Sequence, residues 1–240
     1  MKLAICISGH LRTFRDTFES LRENVIKQIS SEHDFFIYCS PDLDRGKWRA
    51  RPDLPPQPLS LRDLEDANKL YSPRIMRIDP LNENNDLNCT PLLRRVKMCN
   101  DLVREYSSST GTVYDAVLRV RPDTIFVEKM KIPTVIDDSK IFFLQYGRHH
   151  DGYYDGFALG SPTVMDKYSD FLNHADRLRR KSGDSGIKIE KALREYIEEL
   201  NLTPEFIHTP SFIKRTWGVD YFFFDQDPKT YRFVPGKVHN

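Results

Sequence analysis

The sequence predicts one α/β domain, built on a mostly parallel central sheet with helices on both faces. Three observations carry this. Short apolar runs alternate along the chain with stretches of helical period. Several of those runs are apolar at almost every position, the pattern of strands covered on both sides. The length, 240 residues, suits one domain with elaborated loops that buries a sizeable core, and is short for two full domains.

The elements follow in order. Residues 3–7 are a short apolar strand ending at Ser8-Gly9-His10. Phe14, Phe18, Leu21, Val25 and Ile29 then recur every three or four residues, the period of a helix. Asp34 leads into a second apolar run, residues 35–39, so the chain opens as a βαβ unit. Residues 43–58, rich in Arg, Pro and Asp, read as a loop. Ser60 and Asp63 have the spacing of a capping box that opens a helix through Tyr71. Residues 74–78 read as a strand and residues 82–88 as a polar loop.

Leu92, Val96, Cys99, Val103 and Tyr106 mark an amphipathic helix. Strands are expected at 116–120, 124–127, 141–144 and 157–159. Ser161-Pro162 starts a helix carried by Val164, Met165, Tyr168 and Phe171, with Pro at its first position. Residues 177–186 read as a charged loop, and Ile189, Leu193, Ile197 and Leu200 as a further helix. A last strand is expected at 205–208, followed by an aromatic cluster at 221–224.

Composition narrows the function. Lys+Arg is 36 and Asp+Glu is 35, so bulk attraction to nucleic acid or an anionic membrane is not the driver. An anionic ligand must be held by a few placed residues. Cys6, Cys39, Cys89 and Cys99 form no CxxC pair, which argues against zinc and for free, mostly buried thiols in a reducing compartment. The opening MKLAICISGH turns polar too early for a secretory signal. No apolar stretch reaches the ~20 residues of a membrane span. A soluble cytoplasmic protein is expected.

Two constellations stand out. Ser8-Gly9-His10-Leu11-Arg12 lies at the carboxyl end of the first strand, where open α/β sheets bind ligands. The helix that follows offers free N–H groups to an anion, Gly9 allows close backbone approach, and Arg12 has the fork that suits phosphate. An ordinary strand–helix turn with a solvated Arg12 is the alternative. The second is Val117-Leu118-Arg119-Val120-Arg121-Pro122-Asp123-Thr124-Ile125-Phe126, in which an apolar strand delivers charged residues and then resumes. Buried charge requires a reason, and a structural Arg–Asp pair at a strand end is the plain one.

This second segment resembles the Asp-x-Asp strand of GT-A glycosyltransferases, with Asp123 in the place of the second aspartate and Arg121 in the place of the first. The resemblance implies a Rossmann-like GT-A domain over residues 1–240, with a nucleotide-binding half at 1–130 and an acceptor-side half at 131–240. It implies a nucleotide-sugar donor, a glycan acceptor, and a divalent Mn²⁺ or Mg²⁺ on Asp123. Arg121 departs from the pattern, since hard cations take oxygen ligands and an arginine repels them. Either Asp123 holds the metal alone, or Arg121 neutralises the diphosphate and the metal is optional.

The segment at 149–162 is similar to the acceptor region of the family, with Asp155 in an Asn-like place. Tyr153 and Tyr154 are then candidates to stack on a sugar, and Asp155 or Asp151 is the candidate general base, Asp155 first. His149 and His150 are neighbours whose side chains diverge in an extended segment, which disfavours joint ligation of a metal. Arg94, Arg95 and Lys97 lie near the start of the amphipathic helix, where the family offers basic groups to the nucleotide; a solvated basic face is the alternative. Ser8, Gly9, His10, Arg12 and Asp34 complete the nucleotide candidates. His208 and His239 are late-chain candidates for a further metal ligand, and the pair Lys214-Arg215 for a phosphate clamp.

The whole pattern looks like a divergent group of polysaccharide-building transferases of bacteria and large DNA viruses. A non-catalytic nucleotide- or sugar-binding module is the competing reading. A hydrolase or phosphotransferase is disfavoured, because neither a P-loop lysine motif nor a serine nucleophile elbow is present.

Overall fold

The apolar run at residues 3–7 becomes an interior strand of the sheet, β1 (Lys2–Gly9), buried from Leu3 onward. The computed structural model describes residues 1–44, 55–80, 90–132, 135–145, 152–182, 189–215 and 218–220. After β1 come α1 (Phe14–Leu21), a π-helical turn at Arg22–Ile26, and α2 (Lys27–Ile29). Then follow β2 (Glu32–Cys39), the short strands β3 (Asp42–Asp44) and β4 (Gln57–Pro58), α3 (Leu61–Tyr71) and β5 (Ile75–Ile78). The long helix α4 (Thr90–Thr110) leads to β6 (Ala116–Val120), β7 (Thr124–Phe126) and β8 (Lys140–Leu144). The chain continues through β9 (Phe157–Gly160), α5 (Pro162–Ser169), α6 (Phe171–Ser182) and α7 (Ile189–Glu199). It ends with β10 (Thr203–Ile207), β11 (Ser211–Arg215) and β12 (Gly218–Asp220).

Seven strands form the central sheet in the order β10-β8-β9-β6-β1-β2-β5. β9 runs antiparallel to both its neighbours, and the remaining pairings are parallel. The α/β class and the mostly parallel, Rossmann-like sheet are as the sequence predicts. Alternation along each strand divides the core into two layers. Leu3, Ile5 and Ile7 face α1 and α3, with Phe14, Leu21, Ala67 and Tyr71 packed there. Ala4 and Cys6 face the opposite layer, where Leu93, Val96, Cys99 and Leu102 of α4 join Val164 and Met165 of α5. Burial of such side chains stabilises the fold by about 1.5–3 kcal/mol each, which is why continuous apolar strands choose this two-sided position.

The connections matter more than the layers for function. From β1 the chain moves outward to β2 and then β5; α4 then carries it back across to β6 on the other flank of β1. The chain therefore departs in opposite directions from β1 and β6, and the carboxyl ends of such a pair are where open α/β sheets place a ligand crevice.

Three features differ from expectation. The helix starting at Pro162 breaks at Asp170, and α6 runs on to Ser182 through part of the segment read as a charged loop. β7 leaves the main sheet and pairs antiparallel with β11, in a small sheet of order β12-β11-β7. The last strand of the main sheet begins at Thr203, two residues early. Cys6, Cys39 and Cys99 are free and buried, and burial pushes the Cys39 thiol up to about 12. Cys89 lies outside the described residues. Among the described residues no helix is long and apolar enough to cross a membrane.

Candidate functional site

The crevice is built from the ends of three strands. β1 delivers Ser8 and Gly9, β6 delivers Arg119 and, one step beyond, Arg121, and the segment before β9 delivers Asp155. β9 begins opposite the end of β6, with Phe157 in register with Val120. The Arg121 N–H donates to the Gly156 carbonyl at 3.1 Å, which fixes Asp155 beside Arg121. Gly9 has φ +128°, a conformation that L side chains rarely adopt, and a Cβ there would lie 3.9 Å from the Pro122 ring. The turn after β1 therefore folds against the Arg-x-Arg-Pro-Asp segment, and the two stretches singled out in the sequence meet.

Charge organises this meeting. Arg121 donates through Nε and Nη2 to the two oxygens of Asp123, each at 2.9 Å, a bidentate fork. Arg12 places Nη1 3.6 Å from Asp123 Oδ2. Asp123 is 2 % exposed, so the pairing is largely shielded from water. Burial works against the Arg121 charge, but Asp123, with help from Tyr154 and Asp155, outweighs it and holds the pKa well above the usual guanidinium value. Tyr154 is buried, and burial, with the Asp155 and Asp123 charges opposed by Arg121, pushes its phenol up to about 12.

The strand β11 closes the far side. The Lys214 N–H donates to the Asp123 carbonyl at 2.8 Å, and Thr13 Oγ1 donates to the Lys214 carbonyl at 2.8 Å. The Lys214 ammonium pairs with Asp16 at 2.8 Å, which makes it a strut between β11 and α1. His10 donates from Nδ1 to the Asp42 carbonyl of β3 at 3.0 Å, tying the turn to the next strand.

The remaining sequence candidates fall elsewhere. Asp34 sits at the amino end of β2, paired with Ala4, whereas Gly9 pairs with Cys39 at the carboxyl end. Five residues at about 3.3 Å each set it roughly 16 Å from the nucleotide turn. Asp34 is instead bound by Arg74 Nε at 2.6 Å and the Tyr114 hydroxyl at 2.7 Å. Arg95 and Arg94 both bind Asp79, which follows the edge strand β5; they share the carboxyl side of the sheet but stand beyond β2. Lys97 pairs with Asp101 at 2.6 Å and Asp170 at 3.6 Å, so it fastens α4 to the α5–α6 junction.

Tyr153 stacks on Phe143 with centroids 5.0 Å apart, and Tyr154 is buried, so both rings are spent on packing and not offered to a sugar. His208 follows β10, at the far edge of the sheet from the crevice. Asp151, His149, His150 and His239 lie outside the described residues. One functional candidate escaped the sequence reading. Arg119 is inside β6, on the same face as Val117, and Arg121 follows one step beyond the strand's end. A cation at i and i+2 of an otherwise apolar strand was the available signal.

These residues do not suit a divalent cation. Asp123 is the one carboxylate at the Asp-x-Asp-like position, and two guanidinium groups already lie against it. A hard cation would have to displace both, against their charge. Among the described residues no group of three His, Cys, Asp or Glu side chains gathers as a metal site. No model of a known protein family matches the chain, and a search of curated proteins finds no relative.

Proposed function

We propose that the chain is a cytoplasmic glycosyltransferase that moves a sugar from a nucleoside diphosphate donor to a glycan hydroxyl. The observation that carries this reading is the gathering of Ser8, Arg12, Arg121, Asp123 and Asp155 at the carboxyl ends of β1 and β6, where the topology reverses. Sugar transfer breaks the bond between the anomeric carbon and the diphosphate, and the departing diphosphate carries growing negative charge. In this reading Arg121 and Arg12 neutralise that charge without a metal ion, and Asp123 holds both guanidinium groups in place. Fixed cations in a shielded crevice need little reorganisation during the reaction. Asp155, half-buried beside Arg121, takes the proton from the acceptor hydroxyl as its oxygen bonds to the sugar.

A non-catalytic nucleotide- or sugar-binding module is the second reading. The closed Arg121–Asp123 fork favours it, because a carboxylate engaged on two oxygens is not free to recruit a catalytic ion. One thermal-shift plate of UDP-, GDP-, CMP- and dTDP-sugars, with Mn²⁺ and with chelator, separates the readings when followed by donor hydrolysis. Specific binding raises the midpoint by mass action. The transferase reading expects one donor class to stabilise the protein equally with chelator, and to turn over. Stabilisation without turnover under any metal condition selects the module, and no stabilisation by any nucleotide removes both.

A further inference from the structure

Resting on the transferase reading, the structure assigns a role to Arg119, a residue outside the Asp-x-Asp-like triplet. We propose that Arg119 is the buried cation against which the donor's diphosphate settles, and the residue that positions Ser8 and Asp155 around it.

Arg119 lies in the middle of the central sheet and is 1 % exposed. Its Nε donates to Ser8 Oγ at 3.3 Å, and its Nη1 donates to the Asp155 backbone carbonyl. One side chain thus ties the end of β1 to the segment before β9, the two stretches that flank the crevice. Its Nη2 is buried with no hydrogen-bond partner. Among the described residues no carboxylate stands within ion-pair distance of it, whereas Arg12 and Arg121 share Asp123.

A guanidinium buried without a counter-charge is strongly unfavourable, and burying an unpaired donor adds to the penalty. Both penalties fall when an anion arrives on the Ser8–Asp155 side, where the neighbouring cations are Arg121 and Arg12. An uncompensated charge at the switch point of a parallel sheet is therefore half of an ion pair whose other half is the ligand. The chemical class that matches is a diphosphate, whose two charged groups can meet Arg119 and the neighbouring Arg121 together.

The experiment compares wild type with Arg119→Met, which keeps the volume and removes the charge, and Arg119→Lys, which keeps the charge and loses the fork. Thermal midpoints are read against millimolar inorganic pyrophosphate at constant ionic strength, then against the nucleotide-sugar plate. Pyrophosphate is expected to raise the wild-type midpoint. In Arg119→Met that response falls with an affinity loss of about tenfold or more, as for a lost charged hydrogen bond. The same variant without ligand supplies its own baseline for that response, because Ser8 Oγ and the Asp155 carbonyl lose their shared donor. Arg119→Lys retains an intermediate response.

An Arg119→Met protein with the wild-type pyrophosphate response overturns the proposal. If Arg119→Met does not fold, Arg119→Lys decides: a folded lysine variant with no response overturns it equally. A pyrophosphate response that depends on Arg119, with no nucleotide-sugar bound or turned over, leaves the anion site standing and removes the transferase reading. Donors bound and turned over as well by Arg119→Met leave the transferase reading standing and remove the role of Arg119. A wild type that responds to neither pyrophosphate nor nucleotide removes both.

Discussion

At the scale of single residues, Asp123 and Asp155 are two neighbouring carboxylates to which the proposed function gives different work. Asp123 receives both nitrogens of the Arg121 fork and faces Arg12, so it is structural as well as electrostatic. Replacing it with asparagine leaves the buried Arg121 fork without its carboxylate. We expect Asp123→Asn to lose about 3–5 kcal/mol in urea unfolding and, under the proposed transferase reading, to abolish transfer. Unchanged stability would show that the fork contributes little to the fold. Asp155 differs, because its contact with Arg119 runs through the backbone carbonyl and leaves the carboxylate for chemistry. Asp155→Asn is expected to melt as wild type does, and to lower kcat far more than donor affinity, by about a hundredfold or more. A variant that loses donor affinity alone would move Asp155 out of the base role.

At the scale of elements, helix starts show how local sequence becomes structure. Ser60 accepts from the Asp63 N–H at 3.2 Å, and Asp63 accepts from the Ser60 N–H at 3.0 Å, the reciprocal capping box that the spacing predicts. Asp63 also receives Arg15 of α1 at 2.7 Å, so the cap joins two helices that cover the same face of the sheet. Ser60→Ala is expected to lower stability by about 1 kcal/mol, read as a lower thermal midpoint with no change in ligand response. A neutral result would mean that Arg15 alone holds the start of α3.

The same scale explains what was legible. The strands 3–7, 35–39 and 116–120 were readable because burial on both faces demands apolar residues throughout. The break at Asp170 was not, because the apolar period of Val164, Met165, Tyr168 and Phe171 runs across it unaltered. The pairing of β7 with β11 depends on partners almost ninety residues apart, which no local pattern records. In the site, the motif order brought Ser8, Arg121, Asp123 and Asp155 together. Asp34 stands away from the nucleotide candidates because it precedes its apolar run, and residues ahead of a parallel strand belong to the sheet's amino edge.

At the scale of the whole molecule, each edge of the sheet gathers its own charged cluster. The carboxyl edge holds the Arg121–Asp123 fork with Arg12 beside it. The amino edge is closed on itself around Asp34, which takes Arg74 Nε at 2.6 Å and the Tyr114 hydroxyl at 2.7 Å, with the Lys2 ammonium 4.0 Å away. Lys2 belongs to β1 and Asp34 to β2, while Arg74 precedes β5 and Tyr114 precedes β6, so one carboxylate gathers the amino ends of the four parallel strands of the first half. Burial alone would raise the Asp34 pKa, but the hydrogen bonds from Tyr114 and Arg74 and the nearby positive charge hold it below the ordinary carboxylate value.

A depressed folded-state pKa means that the ionised carboxylate stabilises the fold. That contribution is complete above the unfolded value of about 3.9 and is lost as pH falls from there through the folded value. Asp34→Asn should therefore be less stable than wild type at pH 7, by about 1–3 kcal/mol. The gap should narrow as the pH of urea unfolding is lowered below about 4, because wild type then loses its ionised clamp while the variant has none to lose. A gap of constant size from neutral to acid pH would show that Asp34 holds the strand ends by the shape of its hydrogen bonds and not by its charge.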